Sequence, residues 1–337
     1  MMSVEKRKQE HIEVCLQENV NFAKTNGFER YDFVHNALCD FDFSDIDLSC
    51  EFLGKKLKAP IMISSITGGC EEAEKINRNL AEVAGKFGIA MSCGSQKAMI
   101  KNPECVYTYG VRSVAPDILH LGNIGLDYLK NRENFARVRV ALKSIGGDGI
   151  FVHLNLAQEL SQSEGERDFA GSYDYLAEFI KFMDLPVLVK EVGSGISGVV
   201  AGKLEKAGVV AIDVAGAGGT SWAKVESFRQ KEGLIGKRFG EWGIPTAECL
   251  ADCAKSVQVP LIASGGIYDG ITACKALAMG ASLVGIAGPL LKCADKSVGE
   301  VEKFLENYIL EMKTCMMLVG CKNLEELREK RAEILKG

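Results

Sequence analysis

No CxxC pair occurs among the twelve cysteines of this 337-residue chain. No Cys/His spacing resembles a zinc site either. The thiols are scattered, many in apolar runs, and read as reduced and mostly buried in a cytosolic protein. No apolar run reaches the roughly 18 residues that a membrane span requires. The opening stretch MMSVEKRKQEH has no apolar signal region. A soluble, cytoplasmic protein with no membrane partner is therefore expected. Positive charge is not in excess: the formal net charge is -5. That excludes a general basic field for nucleic acid or an anionic membrane, so an anionic ligand would need a local basic cluster. No GxGxxG opens a helix after the first apolar strand, which weakens a Rossmann reading. Coiled-coil heptads and low-complexity tracts are also absent.

Hydrophobic content of 47% and charged content of 25% are globular values. The length suits two ordinary domains or one α/β barrel. From Pro60 a pattern repeats. Apolar runs occur at Pro60–Ile66, Ile89–Cys93, Ile118–Leu121, Ile150–Leu156, Val187–Val189, Val209–Val214, Leu261–Ala263 and Leu283–Ile286. Between most of them lies an amphipathic stretch, such as Glu71–Phe87, Ser172–Met183, Gly198–Lys206 or Gly270–Met279. Near-continuous apolar runs alternating with helices imply parallel strands covered on both faces. Eight of them predict an α/β fold: a closed (β/α)8 TIM barrel over residues 60–337, with an N-terminal extension, 1–59, and C-terminal helices. In the extension, Val4–Leu16 predicts a polar helix with Arg7, Lys8 and His11 on one side, and Ser49–Leu57 a small hairpin. The tail Val298–Lys336 predicts one or two helices.

Barrel chemistry lies at the C-terminal ends of the strands. Here those ends are polar: Thr67, Ser95, Gln96, Lys97, Asn123, His153, Asn155, Gln158, Glu159, Lys190 and Thr220. A ring of such residues around one mouth reads as a binding site. The last two runs end in Ser264-Gly265-Gly266 and Ala287-Gly288-Pro289. Loops at these strands commonly cradle a phosphate with backbone N–H groups, and Thr220 could add its hydroxyl. Simple turns are the plainer alternative. Lys190, projecting from the mouth, suits an anion or an electron-rich cofactor atom. A Schiff base or a salt bridge to Glu191 are alternatives, the latter weakened by strand alternation. His153 and Asn155, two apart, share a strand face. Glu159 suits a Mg2+ ion whose other ligands are phosphate and water, or an ordinary surface position. Arg7, Lys8 and His11 read equally as a solvated face. The segment Ala223–Pro245 reads as a long loop with Lys224, Arg229, Lys231, Lys237 and Arg238, either a lid or a solvated stretch.

These motifs together resemble the type 2, FMN-dependent isopentenyl-diphosphate isomerases. The matching pieces are Arg7-Lys8 with His11-Ile12, Pro60–Gly69, Gly94-Ser95-Gln96, Gly122-Asn123, His153–Glu159, Lys190–Gly193, Asp213–Trp222, Ala263–Ile267 and Ala287–Leu291. Two positions depart from the family's usual residues: Ile66 stands where Met is usual, and Lys97 where Arg is usual. Lysine keeps the charge but loses the bidentate fork. The resemblance implies FMN contacts at Ser65, Ile66, Thr67, Gly68, Ser95, Asn123, Lys190, Thr220, Gly265, Gly266, Ile267, Ala287 and Gly288. It implies substrate diphosphate contacts at Arg7, Lys8, His11, Ser95, Gln96, Lys97, Gln158 and Trp222, with Mg2+ on Glu159. His153, Asn155 and Gln158 would position the substrate. The implied reaction is a 1,3-proton shift with reduced FMN as acid–base, and NADPH or NADH only as the flavin's reductant. A homo-oligomer, a tetramer or octamer, is also implied. Arg7-Lys8 would fold over a barrel mouth, its own or a neighbour's. The rivals are another FMN barrel, such as a 2-hydroxy-acid oxidase, and a non-catalytic flavin sensor.

Overall fold

Eight short parallel strands close into a barrel in the computed structural model, which describes residues 4–230 and 233–337. Before the barrel come β1 (Asp32–Phe33) and an antiparallel hairpin, β2 (Cys50–Phe52) with β3 (Lys55–Leu57). The barrel strands are β4 (Ile61–Ile63), β5 (Ala90–Ser92), β6 (His120–Gly125), β7 (Gly149–His153), β8 (Val187–Lys190), β9 (Ile212–Asp213), β10 (Leu261–Ser264) and β11 (Ala281–Ile286). Each pairs with the next, and β11 returns to β4. At the other end of the chain, β12 (Leu335–Lys336) pairs with β1.

One inward side chain per strand builds the barrel's apolar floor: Met62, Ala90, Leu121, Phe151, Leu188, Ala211, Ile262 and Leu283. Phe52 and Leu57 of the hairpin plug it from below. Outward residues of the same strands, such as Ile61, Ile63, Ile124 and Val152, join the helices in the larger core. Continuous apolar runs arise because both strand faces are buried.

The helices are α1 (Val4–Gln17), α2 (Glu71–Phe87), α3 (Lys97–Lys101), α4 (Asn134–Ser144), α5 (Leu156–Ser161), α6 (Ser172–Phe182), α7 (Gly198–Ala207) and α8 (Trp222–Arg229). After them come α9 (Leu234–Arg238), α10 (Thr246–Ser256), α11 (Gly270–Ala278), α12 (Gly288–Lys296), α13 (Val298–Leu318), α14 (Leu324–Glu329) and α15 (Arg331–Ile334). In α2, Ile76, Leu80, Val83 and Ala84 recur at helical spacing and are buried, while Glu71, Glu72 and Glu74 sit at the electropositive N-terminus.

Several expected boundaries move. β6 starts at His120 rather than Ile118 and runs to Gly125, so Asn123 lies within the strand. β7 stops at His153, and Asn155 is not on the strand: it precedes α5 with φ −138° and ψ 41°. The chain turns there to start a helix, which places Gln158 and Glu159 on α5. The expected loop Ala223–Pro245 contains α8 and α9 instead. Lys231 lies outside the described residues. The tail has three helices and a strand, because Leu335–Lys336 finds a pairing edge on β1.

Candidate active site

Side chains alternate along a strand, so the residue two beyond each floor position also points inward. Adding two to the floor gives Ser64, Ser92, Asn123, His153, Lys190, Asp213, Ser264 and Gly285. This polar layer lies on an apolar one and forms the base of the barrel mouth. Strand register aligns part of it in one row: His153 opposite Lys190 and Lys190 opposite Asp213.

Hydrogen bonds fix the layer's geometry. Asn123 Nδ2 donates to Ser65 Oγ at 2.9 Å, and Ser65 Oγ lies 2.7 Å from Ser92 Oγ. Asn123 Oδ1 is therefore the acceptor for His153 Nδ1 at 2.7 Å. The assigned tautomer carries its proton on Nδ1 and leaves Nε2 bare. Burial pulls the His153 pKa down to about 3, against the opposing charge of Asp127, so the ring is neutral at pH 7. Lys190 is buried and donates from Nζ to the Glu191 carbonyl at 2.5 Å. Glu191's carboxylate turns away to accept the Val192 and Gly193 amides at 2.6 and 2.8 Å, so it makes no salt bridge with Lys190. Burial lowers the Lys190 pKa and raises that of Asp213, and each charge opposes the other's shift. Asp213 Oδ1 accepts from Ser264 Oγ at 2.7 Å. Its Oδ2 and the Ser64 hydroxyl are buried and have no partner among the described residues.

Above this base the mouth opens into three lobes that share Ser65 and Trp222. One lobe, about 80 Å3, is lined by Gly219, Thr220, Gly265, Gly266, Ile267, Ala287 and Gly288, together with Lys190 and Ser64. It is a cradle of backbone amides: α12 starts at Gly288, and a Cβ on Gly288 would sit 3.4 Å from the Thr220 hydroxyl. Gly266 has φ +76°, a conformation that a side chain would strain, and a Cβ on Gly219 would press to 2.7 Å from the Gly266 nitrogen.

A second lobe, about 100 Å3, gathers Arg7, Lys8, His11, Ser95, Lys97, Asp127, His153, Asn155, Gln158 and Glu159. α1 lies over its own barrel's mouth, and His11 is buried there. His11 Nε2 is 2.9 Å from Glu226 Oε1, and its ring meets Trp222 edge-on at 5.1 Å. The solvated-face reading of α1 therefore fails for His11. Gln158 Nε2 donates to the same Glu226 oxygen at 2.9 Å, while its Oε1 accepts from Asn155 Nδ2 at 3.2 Å. Arg229 completes the charge balance on buried Glu226 and also pairs with Glu10 and Glu164. Arg229 is thus a buried anchor for α1 rather than part of a solvated loop. Glu159 Oε1 accepts from Asn155 Nδ2 at 2.9 Å, and Oε2 accepts the Glu166 amide at 2.8 Å. Lys8 has its pKa pushed down to about 8, by burial first and then by the Arg7 charge. The third and largest lobe, about 560 Å3, runs between α1 and α12 past Ile12, Cys15, Leu16, Tyr268, Leu291 and Lys292.

Two candidate residues stand behind the wall. Gln96 is fully buried, and its Oε1 accepts the Asn123 amide at 3.2 Å, so its side chain does not reach the cavity. Gly68 faces the Tyr109 ring, which occupies the space where a Cβ would be. Lys97 lines the cavity but is paired with Asp127 at 2.6 Å. Residues missed from the sequence are Ser64, Ser92, Asp127, Asp213 and Glu226. The inward ones could be read by counting two from the apolar floor. Glu226 gives little local signal: Arg229 is three positions on, but its partners in the mouth, Gln158 and His11, lie 68 and 215 positions away.

A sequence profile of the FMN-dependent dehydrogenases matches residues 3–102 and 132–334. The isopentenyl-diphosphate delta-isomerase of Pyrococcus furiosus is 48% identical over 336 residues, covering 96% of this chain and 85% of that protein. The chain belongs to the isopentenyl-diphosphate delta-isomerase family. The family's members from Nostoc sp. and Mycolicibacterium gilvum are 43% and 44% identical, covering 96% and 97% of this chain and 93% and 96% of theirs. The expected (β/α)8 barrel is borne out as well. A flavocytochrome b2 variant with pyruvate bound matches with a TM-score of 0.70 at 17% identity, over 97% of this chain and 82% of that one. A mandelate oxidase variant with (S)-mandelic acid gives 0.66 at 15%, over 96% and 94%. At that distance the likeness speaks for the fold alone. The isomerase relatives are more than twice as identical to this chain as those two structures are. Among the described residues, no helix is long and apolar enough to cross a membrane.

Proposed function

We propose that this chain interconverts isopentenyl diphosphate and dimethylallyl diphosphate by a 1,3-proton shift, with FMN as cofactor and Mg2+ on the diphosphate. The observation that carries the reading is the placement of α1. It brings Arg7, Lys8 and His11 to the lobe that holds Lys97, His153, Gln158 and Glu159. A net acidic chain thereby concentrates cations where a diphosphate would bind.

The mouth fits a flavin mononucleotide. The amide cradle of Thr220, Gly265, Gly266, Ile267, Ala287 and Gly288 suits a phosphomonoester, and the unpartnered Ser64 hydroxyl supplies a donor beside it. Ser65, Ile66, Thr67, Asn123 and Lys190 would meet the ring, with buried Lys190 offering a positive charge to an electron-rich edge. When bound and reduced, the flavin supplies the proton donor and acceptor that the side chains do not, and NADPH or NADH serves only to reduce it. The protein's residues bind and orient. His153 is held neutral in one tautomer by Asn123. Gln158 is clamped between Asn155 and Glu226, so its amide is pre-set as a contact for the isoprenoid. Trp222 closes the cavity with an apolar face and keeps water from the reacting carbons.

Glu159 fits a Mg2+ ion. Its carboxylate is held by two donors, and no group of three or more such ligands occurs among the described residues. A Mg2+ there would take its other oxygens from diphosphate and water. The twelve free thiols support a reducing, cytoplasmic setting. Exposed Phe228, Leu234, Ile235, Phe239 and Trp242 on and beside α8 and α9 support a homo-oligomer. Changing Arg7 and Lys8 together to Ala is expected to raise the substrate KM about 10- to 100-fold with flavin content unchanged. An unchanged KM would remove α1 from the substrate site.

A further inference from the structure

The segment after α1 runs along the glycine-rich cradle rather than past it. Phe22 N donates to the Gly219 carbonyl at 2.9 Å, and Ser221 N donates to the Val20 carbonyl at 2.8 Å. Asn21 and Thr220 form an isolated antiparallel bridge. Asn26 then packs so closely that a Cβ on Gly218 would fall 2.5 Å from its backbone. Its side chain is fixed at both ends. Oδ1 accepts the Phe28 amide at 3.0 Å, and Nδ2 donates to the Gly266 carbonyl at 2.6 Å.

A trans peptide points its carbonyl and its N–H in opposite directions. Whatever holds the Gly266 carbonyl therefore also aims the Ile267 N–H. Thr246 does the same one peptide earlier: its Oγ1 donates to the Gly265 carbonyl at 2.6 Å, which aims the Gly266 N–H. Among the described residues neither amide donates to a protein acceptor. Gly266 and Ile267 both line the cradle. Two peptides that positive-φ glycines leave free to rotate are thus each tied on the side away from the ligand.

We propose that Asn26 is a positioning residue of the cofactor site, aiming the Ile267 amide at a bound phosphomonoester, with Thr246 its counterpart for the Gly266 amide. The inference rests on the reading of this cradle as the FMN phosphate site. It assigns the N-terminal extension a second task besides carrying the diphosphate contacts. The fixed amides act on the phosphate and not on the flavin ring, so selectivity between FMN and riboflavin is the property they control.

The test is a fluorescence titration of the flavin-stripped full-length protein with FMN and with riboflavin. Wild type is expected to prefer FMN by about 100-fold or more. Asn26→Asp keeps the side chain's shape and its bond from Phe28 N but removes the donor to Gly266. It is expected to weaken FMN binding about tenfold while riboflavin binding changes less than about twofold. Thr246→Val, which removes the other tie, is expected to show the same selective loss and serves if the first variant does not fold. Unchanged FMN-to-riboflavin ratios in the folded variants would overturn the proposal, as would equal losses for both flavins. A wild type that binds the two flavins equally would instead overturn the phosphate-cradle reading beneath it.

Discussion

Lys8 is the residue whose titration the account exposes most directly. It loses its charge as pH rises through about 8, and the proposed diphosphate contact depends on that charge. The profile of kcat/KM, which reports the free enzyme's groups, is therefore expected to fall as pH rises through about 8. Lys8→Arg keeps its charge in that range and should flatten this limb. The same limb in both proteins would assign it elsewhere. Glu159→Gln is expected to cut Mg2+-dependent kcat/KM by about two orders of magnitude while FMN stays bound. Full activity in that variant would remove Glu159 as the metal ligand. His120 matters for stability rather than chemistry. It is buried at the start of β6, neither ring nitrogen finds a partner among the described residues, and burial then the nearby Arg112 charge lower its pKa to about 4. The unfolded chain takes up that proton near pH 6.5, so stability is lost as pH falls from about 6.5 toward 4, by about 3 kcal/mol. Denaturant melts at pH 7 and pH 4 should show His120→Leu losing about 3 kcal/mol less than wild type. Equal losses would mean that His120 already finds a partner for its proton.

At the scale of elements, the cradle is the most sensitive part. Gly266→Asp forces a side chain into a left-handed backbone conformation and places a carboxylate in the proposed phosphate cradle. Flavin content should fall below about a tenth of wild type while the far-ultraviolet dichroism stays native. Retention of full flavin would move the phosphate site elsewhere. What could be read from sequence follows from the physics of each element. The 17 residues of α2 carry nearly five turns of helical periodicity, and its expected limits, Glu71 and Phe87, match the structure. A strand buried on both faces has no alternation to mark its phase, so β6 was displaced: Gly122 and Asn123 look like loop residues but lie within it. The same blurring put Asn155 on β7 instead of before α5. The hairpin was legible over Ser49–Leu57, but its place beneath the barrel floor was not. The contacts of Val20–Asn26 with the cradle were not, since they join residues about two hundred positions apart and leave no local pattern.

For the whole molecule, the barrel converts eight weak signals into one site. Residues scattered from Ser64 to Gly285 line one mouth because strand alternation turns each of them inward above the apolar floor. The N-terminal extension then roofs that layer, and the C-terminal strand pairs with the extension to hold it. The cations proposed to serve a diphosphate are gathered in one lobe, while the chain as a whole is net negative. The most direct measurement is isomerisation by the purified protein, under anaerobic conditions, with isopentenyl diphosphate, Mg2+ and FMN, with and without NADPH. Dimethylallyl diphosphate is expected only when the flavin is reduced. A yellow protein that forms no product, yet reduces its flavin with a 2-hydroxy acid, would keep the barrel and contradict the function.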